Sequence, residues 1–455
     1  MNQVKKIISI FLAAVISLSV FAKSSEIKTA KLKNNIPVYI KNNDSNQIVS
    51  VYIVVKGGVA LLTPDKSGLE NALFSMMARG SKKYSYEKIQ TLEYNTESSI
   101  TASAIKEGSV LGLTCIDYYL DQMLPVLVDG FLNPVFGQNE YNSLMTEYAQ
   151  QLQSIQNDPY SLMQYTIGRT VFNGTPYETS EGVTAESYNN ITIENMKELH
   201  SSIIDTNRIS IVAVGNFNEK DFIKKLNSFL GSITQNRSIF KMPKVEPVKI
   251  SGSPVVLSHP SSEGTGFYAE VFSAPSVTSK DYISASVCAK IYNELLFNIV
   301  REKYGACYSP GTSLTSTLSN IGVVIAYRVS DMENLRGYIK EAEDLMKQGK
   351  LISGKQEDGT YEYSSIQERL EGYKNSYLNS NYEGLQTNGG VASRIAASIL
   401  QFENPEQYLG SMEKIKAVSV DDVENAFKKY WCTEEKQLFA VVGPSDLEKV
   451  KEYLK

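Results

Sequence analysis

Two residues in the second half of this 455-residue chain have side chains that can act on a carbonyl group, although an arginine and a tyrosine at their spacing are common. Arg301 and Tyr308 stand seven apart in Arg301-Glu-Lys-Tyr-Gly-Ala-Cys-Tyr308. That run ends an apolar helical pattern (Val287, Ile291, Leu295, Ile299) and turns at Gly305 into a strand. Arginine offers several donors to peptide carbonyls, and a tyrosine hydroxyl can donate to an oxyanion forming on a scissile carbonyl. The pair also has a plain structural use, with Arg301 facing the helix dipole and Tyr308 packing in a sheet. In the first half, Asn71, Phe74 and Ser75 fall at i, i+3 and i+4 of a helical pattern over Pro64–Gly80. Leu69, Ala72, Leu73, Met76 and Met77 give that pattern its three- and four-residue spacing, and Gly80 sits where a C-terminal cap is expected. Asn71, Phe74 and Ser75 share one helix face, yet none ligates a metal well or takes up a proton. Only two histidines occur, His200 and His259, neither with a second at ligand spacing, and both read as isolated structural or surface residues.

The elements that must position these residues repeat once along the chain. Thr192 caps a helix that precedes the strand Ile209–Gly215, and Ser419 caps another that precedes Leu438–Gly443. The copies lie 227 to 228 residues apart, and each is followed by an acidic helix start, Asn218–Asp221 and Ser445–Glu448. Two similar halves are the simplest account, over 27–235 and 253–455. The join, 236–252, contains Pro243 and Pro247 and reads as a linker. Strands such as Val49–Val55, Ile209–Val214 and Ile321–Tyr327 alternate with long helical patterns, which argues α+β halves.

Composition bounds the function. A hydrophobic fraction of 42% and a charged fraction of 21% are those of a soluble globular protein. A net charge of −5 leaves no basic footprint for nucleic acid. Residues 1–22 read as a secretory signal, with Lys5-Lys6, the apolar run Ile7–Ala22, and Val20 and Ala22 as a cleavage pair. No later stretch supplies the roughly 20 apolar residues of a membrane span. The expectation is an exported, soluble protein, periplasmic in a host with two membranes. Four cysteines (115, 288, 307 and 432) show no C-x-x-C spacing and read as small buried hydrophobes with free thiols, with no pairing assigned.

Several runs carry a resemblance. Gly68-Leu-Glu-Asn-Ala-Leu-Phe-Ser-Met-Met-Ala-Arg-Gly-Ser81 resembles the segment that holds H-x-x-E-H in the insulinase/pitrilysin family of metallopeptidases. Lys33–Ile40 resembles the family's opening strand, Val55-Lys-Gly-Gly-Val-Ala60 its glycine-marked strand end, and Leu132-Asn-Pro-Val-Phe136 its P-x-F turn. The stretch from Asn157-Asp-Pro159 to Phe172-Asn-Gly-Thr-Pro176 is similar to the segment after the last zinc ligand, and Arg301–Tyr308 to the family's Arg/Tyr segment. One departure is Asn293-Glu-Leu-Leu-Phe297, where the family often has a lead-in rich in glycine and serine.

The resemblance implies two homologous α/β-roll halves with mixed or antiparallel sheets and packed helices, joined clam-like by a linker. It places the degenerate metal positions at Asn71, Phe74, Ser75 and Gln151. Gln151 lies eight residues before Pro159, beside Leu152 on the inward stripe of Tyr141, Leu144, Met145, Tyr148, Leu152 and Ile155. It further implies a zinc-less subunit of a two-chain peptidase. A homologous partner bearing H-x-x-E-H would hold zinc, and this chain would supply Arg301 and Tyr308 towards an unfolded peptide. Such a peptide adds as a strand to a sheet edge of the zinc-bearing half, whose equivalent here is Ser98–Lys106. A structural scaffold and a peptide-binding module without proteolysis are the alternatives.

Overall fold

Every residue of Ile209–Gly215 is buried, although the segment is a single strand with two faces. An unbroken apolar run of this kind requires cover on both sides of its sheet. The computed structural model, which describes residues 27–234 and 240–455, shows where that cover comes from. The signal expected over 1–22 lies outside the described residues.

The first sheet contains β1 (Lys28–Lys31), β2 (Pro37–Asn42), β3 (Ile48–Lys56), β4 (Ser99–Ala104), β5 (Gly108–Ile116) and β6 (Ile209–Gly215). Its spatial order is β1-β2-β6-β3-β5-β4. The second contains β7 (Val255–Ser258), β8 (Gly266–Ser273), β9 (Cys307–Leu314) and β10 (Ile321–Val329). After a separate hairpin, β11 (Lys350–Lys355) and β12 (Tyr361–Ser365), it is completed by β13 (Lys436–Val442). Its order, β7-β13-β8-β10-β9, repeats β2-β6-β3-β5-β4. In both, the first pair is parallel (β2/β6 and β7/β13) and the remaining pairs are antiparallel. The halves are therefore α+β with mixed sheets, and the repeat read from the caps is a repeat of topology. Thr192 accepts from the Asn195 N–H, and Ser419 forms a capping box with Asp422.

Each sheet packs its own helices on one face and a helix of the other half on the opposite face. Val51, Ile53, Leu111, Leu113, Ile211 and Ala213 face the core formed with helices Leu69–Ala78, Leu120–Leu132 and Ile193–Ile203. The alternate residues Val54, Val212 and Val214 pack against Val391, Ile395 and Ile399 of helix Asn388–Phe402, which belongs to the second half. Reciprocally, Phe267, Ala269, Val271, Phe439 and Val441 pack against Met163, Ile167 and Val171 of helix Pro159–Val171, from the first half. The period of two along each strand thus separates a core within a half from a core between halves.

The join is a working part of that second core. Its described residues form no regular element, yet Val248 and Ile250 are buried with Phe267 and Ile167. A further tie runs through the β4–β5 turn. There Glu107 accepts the Tyr177 hydroxyl and also the Leu318 N–H of the β9–β10 turn, the latter at 3.0 Å. His259 is buried and crosses the halves as well. Its Nδ1 accepts the Ser261 N–H, which leaves Nε2–H to donate to the Gln156 carbonyl at 2.9 Å. His200 lies 2.8 Å from the Phe131 carbonyl through Nε2, and burial lowers its pKa. The four cysteines are free, and burial pushes the thiols of Cys115 and Cys307 up to about 12 and about 11. Among the described residues no helix is long and apolar enough to cross a membrane.

Three expectations need correction. The pattern over Pro64–Gly80 is two elements, a 3-10 turn at Pro64–Lys66 and an α-helix at Leu69–Ala78. Gly68 separates them at φ +81°, and a Cβ there would lie 2.9 Å from the Val183 nitrogen. The stripe on helix Gln138–Asn157 is mostly half-buried, with Leu144 alone fully so, because this helix runs along the surface. Gln151 is exposed, not turned inward.

Glu70 is buried within the helix Leu69–Ala78. One carboxylate oxygen accepts the Ser109 hydroxyl at 2.5 Å and the other has no partner. Burial raises its pKa. The folded chain therefore keeps this proton to higher pH than the unfolded chain, and stability falls as pH rises from the ordinary carboxyl range through the raised value. Urea midpoints measured from pH 4 to 8 should show Glu70→Gln gaining on the wild type as pH rises; a pH-independent difference would contradict this. Ile395→Ala, in the helix lent to the first sheet, should cost ~2–5 kcal/mol. Far-UV circular dichroism and the fluorescence of Trp431, in the second half, should lose signal together, since neither sheet is covered without the other half.

Candidate functional site

The second-half residues are brought together by an irregular helix end. Helix Tyr282–Leu296 continues as a π-helical segment, Phe297–Lys303, which widens the turn and shifts the side chains that follow. Gly305, at φ +61°, then ends it, and its N–H donates to the Arg301 carbonyl at 2.8 Å. The chain reverses into β9, the edge strand of its sheet, which Tyr308 opens next to Cys307. The Arg301 guanidinium lies 5.1 Å from the centre of the Tyr308 ring and 4.8 Å from that of Phe297. Its Nε is 3.4 Å from Glu302. Tyr308 is 67% exposed, which removes the alternative in which it packs in the sheet.

Three further residues support the pair, two of them the ends of the departing lead-in and the third, Arg328, without a sequence signal. Phe297 stands four residues before Arg301, a spacing that stacks an aromatic ring beside a cation on one helix face. Asn293 accepts the Thr312 N–H through Oδ1 at 3.0 Å and ties the helix to β9. The departure from a glycine- and serine-rich lead-in thus coincides with a helical lead-in braced by a side-chain amide. Arg328 stands across from Tyr308, between the β9–β10 pairs Tyr327–Ser309 and Val329–Cys307, at φ +51°. Here β10 also bulges against β8, which leaves a left-handed non-glycine residue beside the exposed tyrosine.

The first-half positions form a packed, hydrogen-bonded surface. Asn71 donates to the Glu181 carbonyl at 3.1 Å and accepts the Ala104 N–H at 3.2 Å, binding the helix to the end of edge strand β4. Phe74 has no exposed surface and belongs to the first-half core. Ser75 is half-buried. Gln151 reaches the same loop as Asn71, since a Cβ on Gly182 would lie 2.8 Å from its Nε2. Asn71, Gln151 and the Glu181–Gly182 segment are thus gathered at one place. The Arg301/Tyr308 pair lies in the other half, and no hydrogen bond or ion pair among the described residues joins the two groups.

This donor set does not fit zinc. An amide, a phenyl ring, a hydroxyl and a second amide stand where imidazoles and carboxylates are required. Among the described residues no group of three or more His, Cys, Asp or Glu side chains could hold a metal ion. The expected peptide edge over Ser98–Lys106 is the strand Ser99–Ala104, at the end of its sheet, with Ser99, Thr101 and Ser103 exposed. Both halves therefore present an edge strand beside the positions under discussion.

Comparison with known proteins places the chain in a family. Residues 37–182 match the family model described as insulinase (peptidase family M16), and residues 190–349 match that described as peptidase M16 inactive domain. The chain is 22% identical over 235 residues to the non-peptidase homolog YmxG of Helicobacter pylori. That match takes in 51% of this chain and about half, 54%, of the relative. Its fold is similar to that of a protease from Helicobacter pylori, with a TM-score of 0.79 at 14% identity, covering 91% of this chain and 99% of that one. A peptidase M16 inactive domain from Pseudomonas fluorescens gives a TM-score of 0.77 at 14% identity, covering 92% and 98%. The periplasmic protease PqqL of Escherichia coli gives 0.74 at 14% identity, covering 92% of this chain and 46% of that larger one. With the two models together spanning well over half of its length, the chain belongs to the insulinase family, peptidase family M16.

Proposed function

We propose that this chain is the zinc-less subunit of an exported two-chain metallopeptidase that degrades unfolded peptides. One observation carries the reading. A half-buried Arg301 is held against an exposed Tyr308 at an edge strand, while Asn71 and Phe74 serve hydrogen bonding and packing instead of a metal. A homologous partner with an intact H-x-x-E-H motif would carry the zinc. This chain's part is to bind and orient. Arg301, kept in place by Phe297 and Tyr308, donates to backbone carbonyls of the substrate, and the Tyr308 hydroxyl donates to the oxyanion that forms on the scissile carbonyl. The substrate is a peptide in extended form, because only an extended backbone pairs with a sheet edge. The division of chain boundaries into 27–235, 236–252 and 253–455 belongs to the same proposal, with two halves of one chain facing two halves of another.

A scaffold or peptide-binding role without proteolysis is the second reading. It is favoured by the relative named a non-peptidase homolog, and by the tight packing of Phe74 and Asn71. Native pull-down of the chain from the exported fraction, with peptide identification and metal content, separates the two. The peptidase reading expects a stoichiometric homologue bearing H-x-x-E-H and about one zinc per pair. Recovery of the chain alone and metal-free would favour the second. In the complex, Tyr308→Phe should lower turnover of an unfolded peptide ~10²–10³-fold; unchanged turnover would remove the oxyanion role.

A further inference from the structure

A cavity of about 580 Å3 lies beside the helix lent to the first sheet, away from Arg301 and Tyr308. Its walls come from helices Ile366–Glu383, Asn388–Phe402 and Gln407–Ala417, together with the segment 277–283 and the two turns that meet between the halves. The volume is within the roughly 300–1,000 Å3 usual for small-molecule sites. Val277, Ile283, Leu385, Phe402 and Met412 supply an apolar lining.

The charges on it are one-sided. Lys280, Arg394 and Lys414 line the cavity and no carboxylate does. Of the nearby acids, Asp281 pairs with Lys429 at 2.7 Å and Glu413 with Lys416 at 2.8 Å, while burial and then the adjacent Glu406 raise the pKa of the Tyr408 hydroxyl. Among the described residues no ion pair involves Lys280, Arg394 or Lys414. Tyr408, 9% exposed, also lines the cavity, and its buried hydroxyl has no hydrogen-bond partner.

The walls also say what the occupant lacks. Three of them are helices, whose backbone groups are bonded internally. The non-helical parts are tied as well, the Val277 N–H to the Thr317 carbonyl at 3.0 Å and the Gln401 amide to the Ser316 carbonyl at 2.8 Å. A peptide entering here would find polar side chains but no strand edge to extend. We propose that this cavity binds a long-chain carboxylate, a molecule with an unbranched apolar body and one anionic head, the head meeting Arg394 and its neighbouring lysines. The proposal does not depend on the peptidase reading, and its test uses this chain alone.

Calorimetric titration of the full chain with decanoate, decanol and the free acid of the peptide Leu-Ala-Leu-Phe tests it. Decanoate is expected to bind saturably at one site and at least ~10-fold more tightly than decanol, as a charge-assisted contact requires. Arg394→Gln should weaken decanoate ~10–100-fold and leave decanol unchanged, and Ala397→Trp, which fills the cavity, should abolish both. Should Ala397→Trp not fold by circular dichroism, Arg394→Gln decides, because that side chain is exposed. No saturable binding of decanoate, equal binding of decanol, or tighter binding of the peptide would each overturn the assignment.

Discussion

The exchange of one helix between the halves is the constraint on which the rest of this structure depends. Strands β6 and β13 carry apolar side chains on both faces, and each half covers one of those faces with its own helices. The second face is closed by Pro159–Val171 in one direction and Asn388–Phe402 in the other. Burial of apolar area on this scale makes the two halves a single cooperative body. The buried polar ties between them, Glu107 with Tyr177 and Leu318, and His259 with Gln156, then fix how the halves meet. That fixed placement is what holds both edge strands, β4 and β9, in a constant relation.

Against this rigid frame, the first-half face around Asn71 and Phe74 is one of packing and hydrogen bonds. A carboxylate at position 74 without a cation would carry an uncompensated charge in the core. Phe74 converts that position to apolar volume, and Asn71 converts its own to two hydrogen bonds that staple helix, loop and edge strand. The second half presents a half-buried arginine beside an exposed tyrosine.

Much of this was legible in the sequence because it is written in local patterns. The caps at Thr192 and Ser419, the β-branched run of β6 and the glycine-ended helix before Tyr308 each follow from short-range physics. The equivalence of the halves followed from their spacing. What sequence could not supply was partner identity for a buried face. Nothing in Met163, Ile167 and Val171 says that they will cover the other half's sheet. Gln151 was misread for a related reason, because helix Gln138–Asn157 has an apolar stripe that rests on the surface of the core without sinking into it. The π-helical turn at Phe297–Lys303 and the left-handed Arg328 have no residue signature, since both are settled by how the helix and the strand must meet.

The exchange also sets an order of events during synthesis. The first sheet is made of residues up to Gly215, but the side chains that close its outer face begin near Val391. Until nearly all of the chain is available, the first half must remain a sheet with one greasy face open to solvent. Contacts this distant in sequence form slowly, and the interval is one in which a chain is prone to wrong association. A nascent chain of this design is therefore held back from early completion, and stays extensible until its last hundred residues arrive.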